Sequence, residues 1–201
     1  MNSPPARSGD DARVIADSLD RPELFGELYQ RHAAVIHRYA ARRLGEEAAE
    51  DITADTFLSA FRTRRRYDLA RRDARPWLYG IAANLIGKQR RAEVRALRAL
   101  ARTGLDPVAA SWTDRSDSRV TAHAAHGLLA GALAGLSRGD RDVLLLVAWA
   151  DLGYQEVAEA LSIPVGTVRS RLNRARRKVR HTLGGADPTL VHDATEMIGH
   201  G

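Results

Sequence analysis

The sequence predicts an all-α protein in which two small helical domains are joined by a flexible linker, the second domain containing a helix-turn-helix. Apolar residues recur at helical spacing over residues 23–95 and 122–183, and no alternating strand pattern competes with them. Hydrophobic residues make up 44% of the 201 residues but aromatic residues only 5%, which favours aliphatic helix packing. Segment 96–121 has no apolar stripe and contains Gly104 and Pro107, as linkers do.

The composition excludes several classes of protein. The chain has no Cys, which removes disulfides, thiolate metal sites and thiol nucleophiles. Its longest apolar run has about ten residues, whereas a membrane-spanning helix needs about 18, and no signal peptide is evident at the N-terminus. We therefore expect a soluble, cytoplasmic protein that needs no cofactor and is stabilised by packing.

The first domain is expected at residues 23–95, after a disordered leader over residues 1–22 that shows no periodicity and contains Pro4 and Pro5. Gly45 stands where a helix C-terminal cap is expected. The apolar spacing predicts three helices, at residues 23–44, 46–62 and 76–95.

The second domain is expected at residues 122–183 and is followed by a short tail, residues 184–201. Pro164 suits the first position of the last helix, where a missing N–H is tolerated. Gly184 and Gly185 then end that helix. The pattern predicts four helices, at residues 122–135, 138–150, 154–161 and 164–183.

Charge is distributed unevenly along the chain. There are 31 Lys and Arg residues against 25 Asp and Glu residues, for a net charge of +6. The basic excess lies in residues 23–95 and 123–183, whereas both ends of the chain carry an acidic excess. Such basic blocks suit a polyanion such as nucleic acid, although a solvated helical surface explains the charge alone equally well.

The last helix carries the strongest functional signal. Residues 164–180 hold seven cations and no acid, and this helix follows another across a tight turn. Such a helix fits the DNA major groove. One face near its start carries the candidates for base contacts, Arg169, Ser170, Asn173, Arg174 and Arg177. The candidates for phosphate contacts are Thr167, Arg171, Arg176 and Lys178, of which Arg176 and Lys178 are expected to point away from the base-reading face.

The first domain also separates its charges. Residues 46–57 hold five acids and no cation, whereas residues 62–72 hold six Arg and one acid. The acids at the helix start have a local explanation, since they complement the helix dipole. Asp51 and Asp55 are four residues apart, as metal ligands can be, but no Glu-x-x-His partner exists and no metal site is predicted.

Aromatic residues lie among the cations that follow. Tyr67, Trp77 and Tyr79 stand near the Arg-rich segment and just before Asn84 and Lys88. Aromatic rings among cations are typical of surfaces that hold unstacked bases of single-stranded DNA. Trp77 is equally well explained as a core residue because it lies on the apolar stripe, so Tyr67 is the more exposed candidate.

Three blocks together resemble bacterial sigma factors of the extracytoplasmic-function type. They are AEDITADTFLSAFR at residues 49–62, PWLYGIAANL at residues 76–85 and PVGTVRSRL at residues 164–172. The blocks stand in the family's order, and the resemblance extends from about residue 23 to residue 183.

The resemblance implies a factor that binds core RNA polymerase and directs promoter-specific initiation. Its first domain would recognise and melt the minus-10 element, with loop 67–74 receiving a flipped base, and its second would read the minus-35 element. An anti-sigma factor is a further partner that the resemblance allows. The implied polymerase contacts are Glu50, Asp51, Ile52, Thr53, Ala54, Asp55 and Phe57. The implied minus-10 contacts are Tyr67, Arg71, Arg72, Asn84, Lys88 and Arg91.

Two other classes of protein would explain only part of this sequence. A helix-turn-helix regulator that acts without recruiting polymerase would explain the second domain, but it would need neither the acidic helix nor the aromatic and Arg-rich segment. An enzyme acting on phosphoesters would need a metal cluster, a nucleophile or a phosphate loop, and none is visible in the sequence. The chain is therefore not expected to be an enzyme.

Overall fold

The computed structural model describes residues 10–103 and 127–184, and within these two stretches the regular structure is helical throughout. A 3-10 turn at Pro22–Phe25 precedes the second helix, and another at Arg64–Arg66 follows the third. Residues 127–134 are also helical and are labelled α6. The other helices are α1 (Asp11–Asp17), α2 (Gly26–Leu44), α3 (Glu46–Thr63), α4 (Arg75–Lys88), α5 (Arg90–Thr103), α7 (Arg138–Ala148), α8 (Tyr154–Leu161) and α9 (Val165–Thr182).

The first unit is built around α2, α3 and α4, which pack on one another. Leu28, Ile36, Ile52 and Leu78 from these helices are at most 2% exposed and form its core. Gly45 ends α2 with φ 95° and ψ 165°, a conformation that favours glycine and turns the chain into α3. The expected end of the first long helix at this glycine is confirmed.

The third expected helix is divided in two. Residues 76–95 were predicted as one helix, but α4 ends at Lys88, and Gln89 has φ −94° and ψ 26°. A new helix, α5, then runs to Thr103 and packs on α2. Its residues Glu93 and Leu97 are buried. The expected linker is therefore helical over its first residues, and its remainder lies outside the described residues.

The expected disordered leader, residues 1–22, is wrong for its second half. Residues 11–17 form α1, and the 3-10 turn follows it. Val14 and Ile15 are 9% and 0% exposed, so one apolar pair anchors this short helix to the first unit. A helix of two turns is too short to show the repeated spacing on which the prediction relied, and residues 1–9 lie outside the described part.

The second unit comprises α6 to α9. Val143, Val157, Val168 and Leu172 are at most 2% exposed and form its core. The observed helices agree with the expected ones to within about two residues, apart from the start of α6 and the tail, which fall outside the description. Pro164 is the residue before α9, with ψ 145°, and not its first helical residue as expected.

The two units are in contact through α4 and α8. Where α4 passes α8, a Cβ built on Gly80 would lie 2.2 Å from the carbonyl oxygen of Ala160. Beside it, Arg71 Nη1 lies 3.1 Å from Glu159 Oε2. Glycine at residue 80 therefore lets the backbones of α4 and α8 approach closely.

A buried ionic network also joins the two units. Arg43 of α2 donates from Nε to Glu93 Oε1 at 2.7 Å and from Nη2 to Asp142 Oδ1 at 2.6 Å. Arg141 donates from Nη1 to Glu93 Oε2 at 2.7 Å. Burial by itself lowers the pKa of Arg43, but Tyr39, Asp142 and Glu93 around it hold that pKa above its ordinary value. Arg43 is thus held in its charged form at the contact between the units.

We expect Gly80→Ala to destabilise the protein, because the added Cβ would meet the Ala160 carbonyl oxygen. Overpacking of this kind costs about 1–3 kcal/mol, which urea denaturation of the purified protein measures. Gly26→Ala is the matched control, since its φ is −57° and a Cβ there meets no atom within 4 Å. Equal unfolding free energies for the two variants would contradict the tight contact.

Candidate nucleic-acid interfaces

A helix-turn-helix is formed by α8 and α9. Ser162 at the turn has φ 51° and ψ 48°, and the next residue, Ile163, donates its N–H to the carbonyl of Ala158 at 3.0 Å. Val168 and Leu172 of α9 are buried in the core that this helix shares with α8. One face of α9 is thereby fixed, and its opposite face meets solvent.

The solvent face of α9 carries all the candidates for base contacts. Those side chains are exposed along the first three turns of the helix and just beyond: Arg169, Ser170, Asn173, Arg174 and Arg177. Of the phosphate candidates, Lys178 is exposed, whereas Thr167, Arg171 and Arg176 are half-buried. The described part of α9 thus offers a basic surface on a rigid helix.

A shallow groove runs between the start of α8 and the flank of α9. Tyr154, Arg169, Asn173 and Arg176 line it. Arg176 was expected to point away from the base-reading face, and this expectation is wrong. Residues 169, 173 and 176 follow the i, i+4, i+7 line of one helix face, so Arg176 shares the groove with two base-contact candidates.

Arg174 contacts another helix of the second unit as well as solvent. Its Nη1 donates to Asp140 Oδ1 at 3.2 Å, and Asp140 is 1% exposed at the start of α7. The N–H of Asp140 in turn donates to Ser137 Oγ at 3.2 Å. Arg174 therefore joins α9 to α7 while half of its side chain remains exposed.

In the first unit, Tyr67 does not lie where the sequence analysis expected it. It is 9% exposed, and its ring packs on Trp77 with 4.8 Å between ring centroids. Its hydroxyl donates to the carbonyl of Arg71 at 2.8 Å and lies 3.2 Å from the carbonyl oxygen of Asp73. Burial raises the pKa of this phenol. Tyr67 is an internal support of loop 67–74, and the expectation of an exposed ring for stacking bases is wrong.

The two other aromatic candidates also belong to the interior. Trp77 is half-buried against Tyr67, and Tyr79 is 3% exposed. Tyr79 packs edge-on against Tyr39, with ring centroids 5.2 Å apart, and burial raises the pKa of its phenol. These rings support α4 from inside and offer no open stacking platform in this arrangement.

The charged and polar minus-10 candidates lie on the surface: Arg71, Arg72, Asn84, Lys88 and Arg91 are all exposed. Two of them contact the second unit. Arg71 pairs with Glu159 of α8, and Asn84 Oδ1 accepts a hydrogen bond from Arg138 Nη2 at 3.3 Å. The second unit therefore covers part of this surface in the arrangement described.

The candidates for polymerase contacts on the acidic helix α3 fall into an exposed group and a buried group. Glu50, Asp51, Ala54 and Asp55 are exposed. Ile52, Thr53 and Phe57 are 2%, 4% and 6% exposed, so they are core residues and cannot form an exposed contact as the resemblance implied. The Thr53 hydroxyl is already used, since it donates to the Ala49 carbonyl at 2.7 Å.

Asp11 is a residue that the sequence analysis missed. Its carboxylate is fully buried beside loop 67–74 and accepts hydrogen bonds from Arg31, His32 and the backbone N–H of Ala74. Burial alone would raise the pKa of Asp11, but these hydrogen bonds hold it below its ordinary value. Its partner at Ala74 is 63 residues away in sequence, so no local spacing could reveal the contact.

Within residues 10–103 and 127–184, no group of three or more His, Cys, Asp or Glu side chains is placed to hold a metal ion. The helices described there include none long and apolar enough to span a membrane.

Comparison with protein families gives two matches that follow the two helical units. Residues 28–101 match Sigma-70 region 2, and residues 126–179 match Sigma-70, region 4. The first match covers α2 to α5, and the second contains the helix-turn-helix. Neither the fold nor these matches support a regulator that acts without polymerase.

This chain is similar to known sigma factors over most of their length. The ECF RNA polymerase sigma factor SigL of Mycobacterium tuberculosis is 34% identical over 173 residues, covering 86% of this chain and 96% of SigL. The RNA polymerase sigma factor CarQ of Myxococcus xanthus is 31% identical over 163 residues, covering 81% of this chain and 90% of CarQ.

Solved structures share the fold. CnrH, in complex with the cytosolic domain of CnrY, has a TM-score of 0.61 at 24% identity over 88% of this chain and 98% of CnrH. The sigma factor RpoE of Bartonella quintana, in complex with the anti-sigma factor NepR, has a TM-score of 0.54 at 19% identity over 80% of this chain and 96% of RpoE.

The helix-turn-helix with its basic outer face, preceded by a separate helical unit, defines a two-domain helical DNA-binding protein. With both regions matched, the chain belongs to the extracytoplasmic-function sigma factors of bacterial RNA polymerase. It is a sigma factor that directs promoter-specific transcription initiation.

We expect Arg174→Ala to destabilise the second unit, because it leaves the buried Asp140 carboxylate without this partner. The loss should be about 1–3 kcal/mol of unfolding free energy, measured by urea denaturation. Arg177→Ala is the control on the same exposed face and should change it by less than about 0.5 kcal/mol. A loss as large for Arg177 as for Arg174 would refute a special role for the Asp140 pair.

Proposed function

We propose that this sigma factor uses three surfaces. The exposed base-contact candidates of α9 bind the minus-35 element, and the exposed charged and polar residues around α4 bind the minus-10 element. The exposed acids of α3 bind core polymerase. The observation that carries the proposal is the exposed basic face of α9 beside the groove that Arg169, Asn173 and Arg176 line. We further infer that the protein acts in the cytoplasm, by binding alone and without catalysis of its own.

The minus-35 assignment is supported by the chemistry of the α9 face. Arg donates in a planar fork that suits guanine in the major groove, and Asn donates and accepts in a way that suits adenine. Arg169 and Asn173 are one helical turn apart and border the same groove, so both can reach adjacent base pairs. Lys178 and the half-buried Arg171 flank this face and suit backbone phosphates.

The minus-10 assignment is supported by the exposed cations beside loop 67–74. Arg72, Lys88 and Arg91 are exposed, as single-strand binding through phosphates requires. Arg71 and Asn84 reach DNA only when their pairs with Glu159 and Arg138 are exchanged for contacts to the nucleic acid. The proposal therefore includes separation of α4 from α8 when the protein binds a promoter.

The polymerase assignment is supported by the charge of α3. Glu50, Asp51 and Asp55 project from one exposed side of a helix whose opposite side is core. A cluster of exposed acids gives orientation and rate of association with a basic surface more than it gives affinity. Polymerase then holds the two DNA-binding units at a fixed separation, so that the second DNA contact becomes effectively intramolecular.

An anti-sigma factor is the further partner we propose. Two structures that share this fold were solved in complex with another protein, CnrY in one case and the anti-sigma factor NepR in the other. The groove between α2 and α3, bordered by Tyr29, His37 and Glu50, offers a partly apolar surface for such a partner. Tyr29 is 49% exposed there.

Transcription with purified core polymerase tests the proposal, using upstream DNA of the protein's own gene as template. We expect a specific transcript with the wild type. The double variant Asp51→Lys with Asp55→Lys should weaken polymerase binding by about ten-fold, because two exposed charges are reversed and single exposed pairs contribute only about 0–1 kcal/mol.

The matched control for this double variant is Asp20→Lys with Glu23→Lys, which reverses two exposed acids outside α3. It should bind polymerase as the wild type does, by fluorescence anisotropy. If both double variants bind polymerase equally well, the acids of α3 do not contact polymerase. A nanomolar gel shift of the promoter without polymerase, together with no transcript in its presence, would favour the regulator.

Transcription from a library of minus-35 substitutions, measured at two salt concentrations, distinguishes residues of α9 that contact bases from those that contact phosphates. Arg169→Ala should cost about 1–3 kcal/mol and relax preference at one or two positions, as a lost base contact does. Lys178→Ala should weaken all promoters alike and reduce the salt dependence. Arg174 is unsuitable as the first variant because it also stabilises α7. If Arg169→Ala lowers transcription from all minus-35 templates equally, Arg169 contacts phosphate and not a base.

A further inference from the structure

We propose that Asp11 is a positioning residue for the minus-10 element: from the N-terminal helix α1 it fixes the backbone of loop 67–74 in the shape that captures a promoter base. The inference rests on the proposed minus-10 role of this loop. It goes beyond the matched region 2, which begins at residue 28 and does not include α1.

Asp11 contacts the loop through both its backbone and its side chain. Its N–H donates to the carbonyl of Arg72 at 3.0 Å. Its Oδ2 accepts from the N–H of Ala74 at 3.0 Å. Two hydrogen bonds from one residue thus fix the peptide groups on either side of Asp73, at the end of the loop that leads into α4.

Asp11 is itself held in place from the side of α2. Arg31 donates from Nη1 to Asp11 Oδ1 at 3.0 Å, and His32 Nε2 lies 2.9 Å from Asp11 Oδ2. The carboxylate is fully buried, and His32 is 5% exposed. A buried carboxylate with three donors has one orientation available, so the loop contact is rigid.

Tyr67 completes the support of the loop from within. Its hydroxyl lies within hydrogen-bonding distance of the carbonyls of Arg71 and Asp73, while Asp11 takes the carbonyl of Arg72 between them. Carbonyls on the inner side of the loop are therefore bound by the N–H of Asp11 and by the single hydroxyl proton of Tyr67. The outer side is left to the side chains of residues 68–72, all of which are exposed.

The fixed backbone of loop 67–74 affects how the loop captures a base. A loop whose backbone is already fixed loses little conformational entropy when a base binds, and it presents its edge in one geometry. A loop without Asp11 would sample several geometries, so it would accept different bases more equally and capture each more slowly. Selectivity between minus-10 bases is therefore the property that Asp11 should control.

Base selectivity distinguishes positioning from a purely structural role. A variant that merely lowers the amount of folded protein reduces transcription from all templates by the same factor. A variant that loosens the loop changes the ratio between templates that differ in one minus-10 base. The ratio is therefore the decisive measurement.

The experiment uses holoenzyme assembled from the full chain and core polymerase, with templates in which the minus-10 region is pre-melted and each base is varied in turn. The variants are Asp11→Ala and Asp11→Asn. Asp17→Ala is the matched control, since Asp17 lies on the same short helix and pairs with the exposed Arg13 at 3.9 Å. Minus-35 selectivity and polymerase binding are measured in parallel.

We expect Asp11→Ala to lower the selectivity ratio at one minus-10 position by about ten-fold, with minus-35 selectivity unchanged. Asp11→Asn should give an intermediate ratio, because the amide keeps an acceptor for Ala74 but loses the charge that Arg31 faces. Asp17→Ala should give the same selectivity ratio as the wild type. A wild-type ratio for a folded Asp11→Ala overturns the inference.

Two other outcomes are also decisive. If Asp11→Ala fails to fold or to bind polymerase, Asp11→Asn decides alone: a lowered ratio supports the inference and a wild-type ratio overturns it. If the wild type gives no transcript from any template, the proposed function itself fails, and this result is separate because it precedes any comparison between variants.

Discussion

The buried guanidinium of Arg43 is the constraint on which the arrangement of the two units depends. A buried charge must be paired, and the partners of Arg43 come from α5 through Glu93 and from α7 through Asp142. Arg141 then neutralises the second oxygen of Glu93. Because α7 is fixed on α2 and α5 in this way, α8 follows at the distance that brings Ala160 against Gly80 of α4.

An ionic contact between the units differs from an apolar one in what happens on separation. Charges that leave a buried network recover their hydration in water, whereas apolar side chains lose favourable free energy when they are exposed. The contacts at the edge of this interface, Arg71 with Glu159 and Asn84 with Arg138, are exposed or half-exposed and weaker still. Water can therefore replace the partners of these charged groups when the units separate, which it cannot do for apolar contacts.

Local sequence patterns predicted the helices well and the buried polar contacts not at all. The periodic apolar stripes of α2, α3 and α9, and Gly45 between the first two, are visible within one window of sequence. Arg43 and Asp142 are 99 residues apart, and Asp11 and Ala74 are 63 apart, so their pairing depends on tertiary structure. The helix that begins after the break at Gln89 carries Glu93, whose partner Arg43 lies 50 residues earlier in the sequence, so this contact too is invisible to local patterns.

The site residues show why a motif read as a run of letters cannot be assigned to one surface. In a helix each residue is rotated by about 100° from the last, so neighbours in a motif face different sides. Asp51 and Asp55 of α3 are accordingly exposed, while Ile52 between them is core. Similarity to a family then identifies the helix that matters, and burial separates the residues that build it from those a partner can touch.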